Sequence, residues 1–251
     1  MGAFTTSLAA FGCVAVGMAL GLLLQFLLPQ HHRSPETKDV VRLGMGLVGT
    51  TVALVLGLLI ASGKSFYDTQ NTEITEVAAN VVLLDRVLVH YGPETKEARE
   101  LLRASVGRLV DLTGHQADID ALRSKPGALS GEALFDKIQE LSPQTDSQHL
   151  LQNQALGLAI KLGQTRWLLF AQKSSSVPMP LLAMLVFWLV LLFMSFGLFV
   201  RPNVTVVSSL LISALAVCGA IFLILEMYQP YTGLIRVSIA PLQAALAQLG
   251  Q

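Results

Sequence analysis

The sequence predicts an all-α integral membrane protein with four transmembrane helices and a helical polar region between spans two and three. Three observations carry that expectation. Only 14% of the 251 residues are charged, against about 25% in a soluble domain. The deficit is concentrated: Leu43 to Gly63, Ser174 to Val200 and Pro202 to Leu225 contain no charged side chain, over 21, 27 and 24 residues. The residues between them, 64–173, hold 12 Lys/Arg and 14 Asp/Glu, a net charge of −2.

Roughly 20 apolar residues cross a bilayer as a helix. The spans are placed near 8–28, 41–62, 180–200 and 204–226. Soluble helices keep a charged face, and these have none. The first span carries no Lys or Arg ahead of it and is too long for a signal-peptide core, so it is read as a retained helix. Domains follow: 1–63 for spans one and two, 64–176 for the polar region, 177–227 for spans three and four, and 228–251 as a tail.

Within the polar region the second span continues past Tyr67 and Ile74 to Val89. "HYGPET" stops it, because glycine ends helices and proline opens them. A second helix is predicted from apolar positions 98, 101, 102, 106, 109 and 110, a helical spacing. "SKPGALSG" is a loop, "EALFDKIQEL" a short helix ended by "SPQ", and 146–171 a further helix before "SSSVPMP". In the tail, Ile235, Ile239, Leu242, Leu246 and Leu249 recur at helical steps. Such a helix suits a membrane surface, a neighbouring subunit or the chain's own helices.

Several chemistries lack their residues. Cys13 and Cys218 both lie inside spans, so neither a disulfide framework nor a thiolate metal site is expected. The histidines at 31, 32, 90, 115 and 149 show no ligand spacing. No nucleophile elbow or P-loop is present, so no enzyme and no cofactor are expected. A net charge of zero gives no basic surface for nucleic acid. "GMGLVG" at 44–49 matches a dinucleotide fingerprint, with Asp68 beyond it. That fingerprint needs a strand before it and a helix N-terminus at it. Here the glycines lie inside a span, where they let helices approach closely. The sequon Asn203-Val204-Thr205 sits against the membrane and is discounted.

The second span carries the candidate residues. Gly46, Thr50, Ala53, Gly57 and Ala61 form one narrow stripe of small residues. The stripe either packs against another helix or flanks a pore. Gly17 and Gly21 repeat the pattern in the first span. Lys64 and Asp68, four apart at the membrane boundary, make a surface pair, or a ring of charge at a pore mouth if the protein is a symmetric oligomer. Glu226 ends the fourth span, either as a functional acid or as a side chain reaching the interface.

Several stretches together resemble the bestrophin-like domain family of bacterial membrane proteins: "LGLLIASGKSFYDTQ", "AANVVLLDRVLVHYGPET", "LGQTRWLLF", "FWLVLLFMSFGLF" and "LILEMYQPYTGLIRVS". The likeness covers about 41–249. "VLGLLIASGKSFYD" is also similar to the pore-lining second helix of true bestrophins, which are homopentameric anion channels with cytoplasmic termini. The resemblance implies a bacterial inner-membrane protein with cytoplasmic termini and a cytoplasmic 64–173 region, an orientation that Lys/Arg counts leave open. It also implies a homo-oligomer, pentameric by resemblance alone, that contacts the lipid bilayer and small inorganic ions. Aligned on Leu56-Gly57, the bestrophin pore series falls on Thr50, Leu54 and Leu58, which share one helix face. The aromatic pore residues, the Trp pair after that helix and the acidic calcium-binding pattern are absent, with Phe66 and Tyr67 near the Trp positions. The expected function is an oligomeric, anion-conducting channel lined by the second span. The alternative is a non-conducting scaffold or sensor that binds a partner through its polar helical region.

Overall fold

The computed structural model describes residues 2–27, 35–114, 131–171, 178–200, 203–229 and 233–249. The predicted loop "SKPGALSG", most of "SSSVPMP", the start of "RPNV", and His31, His32 and His115 lie outside them. The described residues form eight α-helices and no strand: α1 (Ala3–Leu27), α2 (Pro35–Tyr91), α3 (Lys96–Gly114), α4 (Gly131–Gln139), α5 (Asp146–Ala171), α6 (Met179–Phe199), α7 (Val204–Met227) and α8 (Ala240–Gln248). Four of them, α1, α2, α6 and α7, are long and apolar enough to cross a membrane.

Helix α2 is one uninterrupted element of 57 residues. It begins earlier than the expected span: residues 35–40, read from sequence as loop, are its first turns. Pro35 at the start and Glu36 in the first turn are the residue types a helix N-terminus favours. Its end is as expected. Gly92 takes φ 138°, a conformation open to glycine because it has no Cβ. A 3₁₀ turn, Pro93–Thr95, then leads into α3. The Thr95 hydroxyl is bonded to the carbonyls of Leu88 (2.7 Å) and Gly92 (2.8 Å), closing the corner.

The chain divides into two compact units: residues 1–66, 176–229 and 233–235 in one, and 67–175, 230–232 and 236–251 in the other. In the first, Val14 and Met18 of α1, Val52 and Leu59 of α2, Leu185 and Leu189 of α6, and Cys218 and Ile221 of α7 share a buried core. Glycine sets the distance between α1 and α6. A Cβ on Gly17 would lie 3.0 Å from the Val190 carbonyl oxygen, and one on Gly197 2.6 Å from that of Met18. A Cβ on Gly21 would overlap the Met194 backbone. The small-residue stripe of α1 therefore serves intrachain packing, the use expected where no hydrophobic drive separates helix from lipid.

The second unit has its own core, built from Leu84 and Leu88 of α2, Leu102 and Val106 of α3, Ile138 of α4, Ala155 of α5 and Leu242 of α8. The expected positions 98, 102 and 106 of α3 are buried. The Arg99 guanidinium donates to both carboxylate oxygens of the buried Asp85, at 2.7 and 3.2 Å. That hydrogen bond holds the Arg99 pKa above its ordinary value, against an opposing effect of burial. Of the three surfaces open to the tail helix, the structure uses the chain's own. Leu242, Ala245 and Leu249 are buried in this core, and the Tyr67 hydroxyl donates to the Arg236 carbonyl at 3.1 Å.

Candidate functional site: the free face of helix α2

Within the first unit α2 packs through Val52, Leu59 and Gly63, with Met45, Val48, Val55 and Leu56 half-buried beside them. A helix turns 100° per residue, so Leu54 lies about 150° around α2 from that packed line. The side opposite the core is open. Leu54 is 75% and Leu58 64% exposed. Thr50, Gly46, Ala53, Gly57 and Ala61 are exposed with them. A Cβ added at Gly46 or Gly57 would meet nothing within 4 Å. The two small-residue stripes thus differ. The α1 stripe is filled by α6, whereas the α2 stripe meets no helix of this chain.

The polar groups on this face are few. The Thr50 hydroxyl donates to the Leu47 carbonyl at 2.8 Å, and the exit of the same carbonyl is shared by Thr51 at 3.0 Å. Bonding of this kind, back to the preceding turn, is what a threonine in an apolar helix does with its proton. Lys64 and Asp68 are both exposed where the charge-free run ends.

Glu226 sits elsewhere, in the last turn of α7, and is 6% exposed. Its carboxylate accepts the Leu234 N–H, and a Cβ on Gly233 would lie 3.0 Å from its Cδ. In this structure Glu226 fastens the turn after α7. Beside it, Tyr228 stacks on Phe66 with ring centroids 5.3 Å apart and shares a 2.9 Å hydrogen bond with Ser62. Gly63 makes room for the Met227 and Tyr228 side chains. This joint between α2 and α7 was not singled out from sequence. Its partners are some 160 residues apart, and neither Gly63 nor Ser62 bears a motif. Among the described residues no three His, Cys, Asp or Glu side chains gather as a metal site.

Four apolar helices, a long second helix that runs on into a polar helical unit, and a family model for the bestrophin-like domain that matches residues 11–242 decide the kinship. The chain belongs to the bestrophin-like family. No curated protein and no solved structure matches it. The bestrophin-like match covers α1, α2, α6 and α7, so all four spans belong to the shared domain. The protein is accordingly an integral membrane protein in contact with the lipid bilayer.

Proposed function

We propose that this bestrophin-like protein assembles with copies of itself into an ion channel whose conduit is lined by the free face of α2. The observation that carries the reading is the unused stripe. Gly46, Ala53 and Gly57 leave room for a neighbouring backbone that the chain itself does not supply. A symmetric ring of subunits, pentameric by family likeness, supplies one and brings Thr50, Leu54 and Leu58 to a common axis. Leu54 and Leu58, one turn apart, then form an apolar constriction that gates by excluding water. The termini and the second unit lie in the cytoplasm of a bacterium. The permeant species are small inorganic ions.

Planar-bilayer recordings of the purified protein test this. Single-channel conductance is expected, and it should rise when Leu54→Ala and Leu58→Ala are combined, because the constriction widens and wets. No current from either protein would refute a conduit. The separately packed second unit supports the other reading, a membrane-anchored scaffold. In that case a crosslinked partner would be lost on deleting 67–175, with no conductance at any stage.

A further inference from the structure

We infer that the conduit passes cations in preference to anions. The inference rests on the channel reading above and deepens it, and it runs against the anion preference that the family likeness implies. An anion in a narrow pore must replace its water with donors: N–H or O–H hydrogens, the positive edges of aromatic rings, or basic side chains. A cation needs oxygen lone pairs and carboxylates.

The free face of α2 is short of donors. From Pro35 to Ser65 the sequence contains no aromatic residue and no histidine. The one hydroxyl on the face beside the constriction, that of Thr50, spends its proton on the Leu47 carbonyl and turns its lone pairs outward. Further along the same helix, the exposed Thr72 and Thr75 do the same, donating to the Asp68 and Asn71 carbonyls at 2.9 Å each. Three hydroxyls that would otherwise serve either sign of ion are thus presented as acceptors.

The charges agree. Taking Leu54 as the centre line and 100° per residue, Glu36 falls on that line, Asp68 and Glu76 about 40° from it and Asp39 about 60° from it. All four are exposed. Lys64 lies about 80° off, Arg42 about 120° and Lys38 about 160°. Lys38 is moreover half-buried. The first basic group near the line is Arg86, beyond Glu76. Carboxylates therefore flank the apolar stretch at both ends, on the face that carries Leu54. Repeated around an axis they form acidic rings, the arrangement that concentrates cations.

The reversal potential in a KCl gradient tests this, with the full-length protein in a planar bilayer. The sign expected is that of potassium. Glu36→Gln with Asp39→Asn, on one side, and Asp68→Asn with Glu76→Gln, on the other, should each lower the potassium-to-chloride permeability ratio by about fivefold, the effect of one surface-strength charge interaction. Thr50→Val, which removes the outward lone pairs without changing volume, should lower it further. A chloride-signed potential in the wild type overturns the cation assignment and leaves the conduit standing. So does a ratio unmoved by all three variants while conductance persists. Absence of current in wild type and in the Leu54→Ala, Leu58→Ala protein overturns the conduit itself, and the cation reading with it.

Discussion

Replacing Arg99 with alanine should destabilise the protein about twice as much as replacing its partner Asp85. The pair is bidentate, at 2.7 and 3.2 Å, but its two members are unequally placed: the Asp85 side chain is 5% exposed and that of Arg99 27%. Removing one partner of a fully buried pair costs about 3–5 kcal/mol, because the other is left charged and unpaired. Arg99→Ala leaves a buried carboxylate, and the access to water once provided around Arg99 lowers the cost to about 3 kcal/mol. Asp85→Ala leaves a guanidinium that can turn towards solvent, so about 1.5 kcal/mol is expected. For a chain of this size those costs correspond to roughly 6–12 °C and 3–6 °C in melting temperature. The double variant Asp85→Leu, Arg99→Met should melt above Arg99→Ala, since it leaves neither charge behind. Thermal unfolding of the full chain in detergent measures all four proteins. Equal losses for the two single variants would refute the argument, because it rests on their unequal burial.

Two further outcomes follow from the glycines and from Tyr91. Gly21→Val, whose Cβ must overlap the Met194 backbone, should cost about 1–3 kcal/mol or more in thermal stability. Gly57→Val, with open space around it, should leave the fold of the chain intact and instead lower the oligomer mass in detergent; unfolding of Gly57→Val would show that the stripe is occupied from within. The Tyr91 hydroxyl is buried without a hydrogen-bond partner among the described residues. Burial first, and the Glu94 carboxylate second, hold its pKa above 10.0 in the folded chain. The unfolded chain therefore ionises first, and stability contributed by the neutral phenol is lost as pH rises through that range. Tyr91→Phe should be neutral or stabilising by about 1 kcal/mol at pH 7, and should lose less melting temperature than wild type between neutral and strongly alkaline pH.

Much of the architecture was legible in the sequence because its causes are local. A run without charge cannot face water along its length, so 43–63, 174–200 and 202–225 declare three spans by composition alone. Gly92-Pro93 marks the corner after α2 because only glycine tolerates φ 138° there and proline's ring presets the next turn. The α3 periodicity predicts Ala98, Leu102 and Val106 as its buried side. The start of α2 was misplaced because "SPETKDVVR" reads as a polar loop, although Pro35-Glu36 is also a helix opening. With that shift Glu36 and Asp39 gain a defined place on the α2 face.

Long-range pairing was decided by the tertiary structure alone. The stripes of α1 and α2 have the same spacing of small residues, and spacing says only that something comes close. Gly17 and Gly21 meet α6, while Gly46 and Gly57 meet nothing in the chain. Asp85 with Arg99, and Ser62 with Tyr228, are contacts between helices separated by a corner or by most of the sequence. The tail helix had three surfaces available to it, and its leucines entered the chain's own second core. Composition and period determine which side of a helix is apolar or small, because those depend on the residues of that helix. What covers that side depends on the shapes of other helices, which no single helix encodes.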